Sequence, residues 1–124
     1  MISDRIRNIY RRSVHGIRSG ATYDALVFPR VELNHYLNIR HVAVWDETTN
    51  VVLAVLYVAT LGEDWPLEWF QLTDVTQAYV KQVDFWMAEG DRLVVRFYDG
   101  AESDLIHAYA YGVEYMADVE LGAV

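Results

Sequence analysis

Four histidines, His15, His35, His41 and His107, have the widest chemical scope in this sequence. A strand-borne metal site needs two histidines one residue apart with a glutamate following, because only alternate side chains of a strand share a face. His35 and His41 are six positions apart, and the Asn34–Asn38 stretch between them reads as an interruption. His107 lies in an aromatic run and is expected to be a packed, hydrogen-bonded histidine of a core or interface. A second group, Glu63, Asp64 and Glu68 beside Trp65, Trp69 and Phe70, has the acid-among-aromatics make-up of a sugar-cleaving cleft. Its simpler reading is an exposed acidic loop anchored by its aromatics. Asp99, Glu102 and Asp104 could offer loop oxygens to calcium, but their spacing fits no EF-hand, and Asp and Gly are ordinary turn formers. There is no Gly-x-Ser-x-Gly elbow, phosphate loop or dinucleotide fingerprint. Cysteine is absent, which excludes disulfides, thiolate metal sites and a cysteine nucleophile. The sequence therefore nominates no catalytic residue, metal ligand or cofactor.

The elements that would position such groups come from a chain of 124 residues, enough for one domain. Hydrophobic residues make up 53% and aromatic residues 14%, so the chain can bury a core with aromatics to spare. The longest apolar run, Val51–Leu61, falls short of the roughly 18 residues a membrane helix needs, and no membrane association is expected. No charged-then-apolar leader opens the chain, so synthesis in the cytoplasm is the expectation.

Charge divides the chain. Residues 1–20 hold five arginines against Asp4, a net of +4, whereas residues 21–124 hold five basic and 17 acidic residues, a net of −12. An acidic body repels nucleic acid, so no nucleic-acid partner is expected through it. Ser3 and Asp4 suit a helix start, Ile6, Ile9, Tyr10, Val14 and Ile17 recur at helical spacing, and Ser19-Gly20 suits a stop. This pattern predicts a short amphipathic helix over about residues 4–18, making residues 1–20 a basic helical arm. The arm's candidate partner-binding residues are Arg5, Ile6, Arg7, Ile9, Tyr10, Arg11, Arg12, Val14 and Ile17, and its expected target is an acidic surface such as a second copy.

Residues 21–124 read as a single all-β domain. Runs rich in Val, Tyr, Phe, Trp and Thr alternate with turn clusters. The expected strands are Ala25–Leu33, with Pro29 at an edge or bulge, then Ile39–Trp45, Val51–Leu61, Glu68–Leu72, Val75–Met87, Arg92–Tyr98 and a final strand from Leu105. Gly62–Leu67 is expected to be a loop. Val55, Tyr57, Val83, Phe85, Leu93, Val95 and Phe97 are the expected core. In the last strand the odd positions from Leu105 to Leu121 are large and the even positions small or acidic, a period of two that a helix cannot accommodate. An antiparallel β-sandwich or jelly roll is the natural solution. Trp65, Trp69, Tyr109 and Tyr111 are candidate surface or interface aromatics.

Within this pattern, Val83–Gly112 runs from an aromatic strand containing Phe85-Trp86 into the turn Gly90-Asp91-Arg92-Leu93. A short strand and a second turn, Gly100-Ala101-Glu102-Ser103-Asp104, lead to a strand carrying Tyr111-Gly112. This rhythm resembles the closing strands of small jelly-roll or sandwich proteins of virions, of the phage decoration and minor capsid kind. The resemblance implies a non-enzymatic virion structural protein that contacts copies of itself and other capsid subunits and resides in the virion. Two alternatives stand beside it. One is an acidic phage-type inhibitor that blocks a host protein, which would need carboxylates in rows on one face. The other is a carbohydrate-binding or -cleaving sandwich, which would need Trp65, Trp69 and Trp86 exposed in a groove.

Overall fold

A computed structural model describes the backbone of residues 2–49 and 52–119 and the side chains of residues 8–49 and 52–116. Eight strands follow one another: β1 (Ile2–Ile17), β2 (Tyr23–Val27), β3 (His35–Asp46), β4 (Val52–Thr60), β5 (Glu63–Leu72), β6 (Tyr79–Met87), β7 (Arg92–Tyr98) and β8 (Leu105–Val119). Two four-stranded sheets result: sheet I in the order β1-β8-β3-β6 and sheet II in the order β2-β7-β4-β5, with every pairing antiparallel. The first strand pairs with the last, the second with the seventh, the third with the sixth and the fourth with the fifth. The chain is thus one long hairpin with its tip at Leu61-Gly62, rolled until β8 also meets β3 and β7 also meets β4.

The inward faces of the two sheets form one core. Sheet I supplies Tyr10, Leu37, Ile39, Val42, Val44, Met87, Ile106, Ala108 and Ala110; sheet II supplies Leu26, Val52, Ala54, Leu56, Phe70, Leu72, Leu93, Val95 and Phe97. Phe28 and Val31, beyond the end of β2, complete it. Pro29 ends β2 as a residue without an N–H must. Pairing to β7 persists through Phe28 N–H to Leu93 O at 2.9 Å and Val31 N–H to Asp91 O at 2.8 Å.

The structure corrects three expectations. The amphipathic helix over residues 4–18 is absent: that segment is β1, paired with β8 from Ile2↔Val119 to Ile17↔Leu105. Tyr10, expected on a detached arm, belongs to the core. A helix of this length is marginal in water, and helix propensity yields readily to tertiary pairing. The open side of β8 offers a full ladder of hydrogen bonds instead, and β-branched Ile6, Ile9, Val14 and Ile17 suit a strand. Second, Gly62–Leu67 is not a loop, since β5 runs unbroken from Glu63 to Leu72. Pro66 is tolerated because β5 is an edge strand, with a register shift opposite Leu56/Tyr57. Third, the expected core holds only in part. Val55, Leu93, Val95 and Phe97 are buried as expected, whereas Val83 and Phe85 are partly buried at the margin of the core, and Tyr57 is partly buried outside the central cluster.

Candidate functional site

The long alternation of β8 places its large face outside. Ile106, Ala108, Ala110 and Gly112 are buried against sheet II, and Leu105, His107, Tyr109, Tyr111, Val113 and Tyr115 stand on the outer surface of sheet I. Small inward residues leave room for large ones opposite; a Cβ on Gly16 of β1 would already stand 3.0 Å from the Leu26 side chain. The outward residues then form rungs across the sheet, since directly opposed side chains are neighbours. His15, His107 and Trp45 make one rung, with ring centroids 6.2 and 5.2 Å apart. Arg11, Tyr111 and His41 make another, with the Arg11 guanidinium 5.7 Å from the Tyr111 ring and the His41 and Tyr111 rings 5.8 Å apart. Ser13, Tyr109 and Ala43 lie between these two. Toward the other end, Tyr36, Trp86 and Tyr115 cluster with centroids 5.2 to 5.7 Å apart.

Three of the four histidines share this surface. His107 Nε2 lies 2.6 Å from Glu47 Oε2, so a carboxylate orients the ring. His35 turns away and pairs with Glu114 at 2.9 Å. Among the described residues no three His, Asp or Glu side chains converge as a metal site. Asp104 of the 99–104 turn points inward and is buried, while Asp99 and Glu102 are exposed, so these acids do not share a cation-binding centre.

Asp104 belongs to a buried polar node with Arg18 and Asp46. The Arg18 guanidinium donates to Asp24 Oδ2 at 2.7 Å and to the Phe97 carbonyl at 2.8 Å. Asp46 Oδ1 accepts the N–H groups of Thr48 and Thr49, both at 2.9 Å, while no donor among the described residues reaches its Oδ2. Burial raises the Asp46 carboxyl above the usual range, the Thr N–H bonds oppose this, and the nearby Asp104 adds to it. At Asp24 burial also pushes upward, but the bonds from Ser19 and Arg18 outweigh it and hold the carboxyl below its usual range. The node ties the start of β2 and the turns before β4 and β8 to the end of β1 and is structural.

Sheet II presents a different outer surface. The Arg96 guanidinium sits 4.8 Å from the Tyr23 ring centroid and 4.4 Å from that of Tyr57, and reaches Asp64 Oδ2 at 2.6 Å. Val55 and Val94, beside this layer and outside the central cluster, are nonetheless buried. Sheet II also leaves Tyr23, Val27, Trp65 and Trp69 exposed.

The candidate residues of β1 scatter. Arg5, Ile6 and Arg7 have side chains outside the described residues. Tyr10 is buried, and Val14 is partly buried against the core. Ile9, Arg11 and Ile17 are exposed on the outer surface, and the exposed Arg12 lies over Tyr10 at 5.9 Å. Trp65 and Trp69 of β5 are 54% and 53% exposed, and Trp86 of β6 is 57% exposed. They share no groove: Trp86 stands on sheet I, and Trp69, paired with Val55, on sheet II. Tyr36 and Tyr115 stack on each other at an interplanar angle of 11°, so each covers one face of the other. Sequence reasoning singled out Tyr109 and Tyr111, and Trp86 only for a sugar-binding groove, but not Tyr36, Trp45 or Tyr115. The period of two in β6 and β8 carried that signal, but not which face would be outermost.

No family model matches the chain, and no curated protein matches it. Among solved structures, a subunit from work titled "Bacillus endospore appendages form a novel family of disulfide-linked pili" is similar at a TM-score of 0.51 and 7% identity, covering 92% of this chain and 90% of its own. The core of a Drosophila NLP, from a study of pentamer formation and histone binding, is similar at a TM-score of 0.47 and 16% identity, covering 86% of this chain and 97% of its own. The first likeness concerns the fold alone; the second is weaker still.

Proposed function

We propose that this chain is a non-enzymatic structural subunit that joins its neighbours in a multisubunit assembly through the outer face of sheet I. One observation carries the reading: the strand with the strongest alternation turns its aromatic side outward and its small side inward. A lone domain gains nothing from exposing Trp86, Tyr111 and their neighbours, whereas surplus Trp and Tyr are what protein interfaces use at their centres. Four strands about 4.8 Å apart and some eleven residues long present roughly 700 Å², close to the ~800 Å² per partner of a standard interface. The two strand orders are those of a jelly roll wound from one rolled hairpin. The proposed setting is a virion, as a decoration or minor capsid subunit, and the resemblance of Val83–Gly112 supports it.

The test is the molar mass of the purified chain by light scattering over a wide concentration range, beside a Tyr36→Ser/Trp86→Ser double variant. The assembly reading expects oligomers from the wild type and smaller species from the variant, with unchanged circular dichroism. A wild type that stays monomeric at every concentration overturns it.

A further inference from the structure

The tip of the rolled hairpin holds an anomaly. Leu61 and Gly62 join β4 to β5 with φ of 49° and 80°. A two-residue turn with positive φ at both positions is the type I′ geometry, which favours Asn-Gly or Asp-Gly. Leucine has no side-chain polar group to offset that conformation. Leu61 is also 100% exposed. Backbone preference and hydration both oppose leucine at this position. Glu63 follows it at once and is exposed.

A complementary feature lies on the outer face of sheet I. A shallow cleft of about 320 Å³ runs along the β1–β8 seam, lined by Arg11, Arg12, Ser13, Tyr109, Ala110 and Tyr111. Its floor is apolar, and its rim carries the exposed Arg11, whose guanidinium lies over Tyr111, in a chain whose net charge is −8. The tip belongs to sheet II, behind sheet I as seen from the cleft, so it cannot reach the cleft of its own chain.

We infer that the β4–β5 tip of one copy docks in the β1–β8 cleft of the next, Leu61 against Tyr109 and Tyr111, with Glu63 facing Arg11. The inference rests on the assembly reading and gives it a direction. The contact is heterologous, one tip and one cleft per copy, so it propagates into a ring or a filament and does not stop at a symmetric pair. Opposite charges at the two ends set its register and make it sensitive to salt.

Leu61→Asn separates folding from docking, because asparagine suits the turn. It should raise the melting temperature of the dilute monomer while weakening association about 10- to 100-fold, the change that corresponds to withdrawing one buried leucine. An Arg11→Glu variant loses the cleft's positive rim and keeps the tip. Each variant alone should be monomeric at concentrations where the wild type assembles. An equimolar mixture should form a dimer and nothing larger, since one intact tip meets one intact cleft. Dimers in the mixture with monomers in each component sustain the inference. If Leu61→Asn assembles like the wild type, or the mixture stays monomeric, tip docking is overturned. If in that case Tyr36→Ser/Trp86→Ser still dissolves the assembly, the reading of sheet I as an interface survives. A wild type that never assembles overturns both.

Discussion

Gly112 of β8 packs so closely beneath the backbone of Asn38 in β3 that a Cβ on it would overlap the Asn38 carbonyl oxygen, and would stand 3.0 Å from Ile39 Cα. The approach arises at the β-bulge between Ile39 and His41, where Arg40 is the extra residue. Both neighbouring elements are paired backbone, so nothing flexible can yield. Gly112→Ala should cost about 3 kcal/mol, the upper end of overpacking costs, read as a lowered urea midpoint with an unchanged slope. A loss too small to resolve would mean that the bulge relaxes.

The two phenylalanines expected to anchor the core differ in burial, and stability should separate them. Phe97 is fully buried between the sheets, while Phe85 is partly covered on the edge strand β6. Phe97→Ala should cost about 3–5 kcal/mol, and Phe85→Ala less than half of that. Equal losses in chemical denaturation would show that β6 is held more tightly than its edge position implies.

Residues 1–20 cannot be removed as an appendage. Their deletion strips the partner from β8 over its whole length, takes Tyr10 from the core and takes Arg18 from the buried node. The shortened chain should lose its cooperative melt and aggregate through the bared β8 edge. A sharp thermal transition from that chain would mean that sheet I is stable with three strands.

Asp46 and Asp24 should give stability opposite pH dependences. The native state raises the Asp46 carboxyl, so it holds a proton there at pH values where the unfolded chain has released it. That contribution is complete below the ordinary carboxylate range and declines as pH rises through the raised value. Asp24 is held low, so its contribution is present above the ordinary range and is lost as pH falls through the lowered value. Asp46→Asn keeps the acceptor for Thr48 and Thr49 and replaces the other oxygen with a donor. It should gain about 1 kcal/mol at neutral pH, and the gain should be smaller at a mildly acidic pH, because the native carboxyl takes up its proton above the usual range. Urea midpoints at the two pH values check it; a gain independent of pH would place its origin elsewhere.

Much of the candidate surface was legible as pattern. The alternation of Leu105, His107, Tyr109 and Tyr111 with Ala108, Ala110 and Gly112 marked one large and one small face, and β6 divided in the same way. What could not be read was which side faces water, because burial depends on what lies opposite. Leu26 of sheet II, for example, stands directly over Gly16 of β1. Leu61 gave no local signal either. Its exposure and its positive φ are properties of a two-residue turn, and they exist only once β4 and β5 are paired in register.

Local chemistry by itself determined that the chain is antiparallel β, where most turns fall, that β7 spans Arg92–Tyr98, and that cysteine chemistry is excluded. Alternation, turn residues and composition act over a few positions, so they can be read along the chain. Tertiary structure alone decided the fate of Ile2–Ile17, whose apolar residues satisfy a helical and an extended pattern equally well. The open edge of β8, paired from Ile17↔Leu105 to Ile2↔Val119 at the far end of the sequence, resolved that degeneracy. A strand's hydrogen bonds are completed by another strand, so their partners are set only when the rolled hairpin closes.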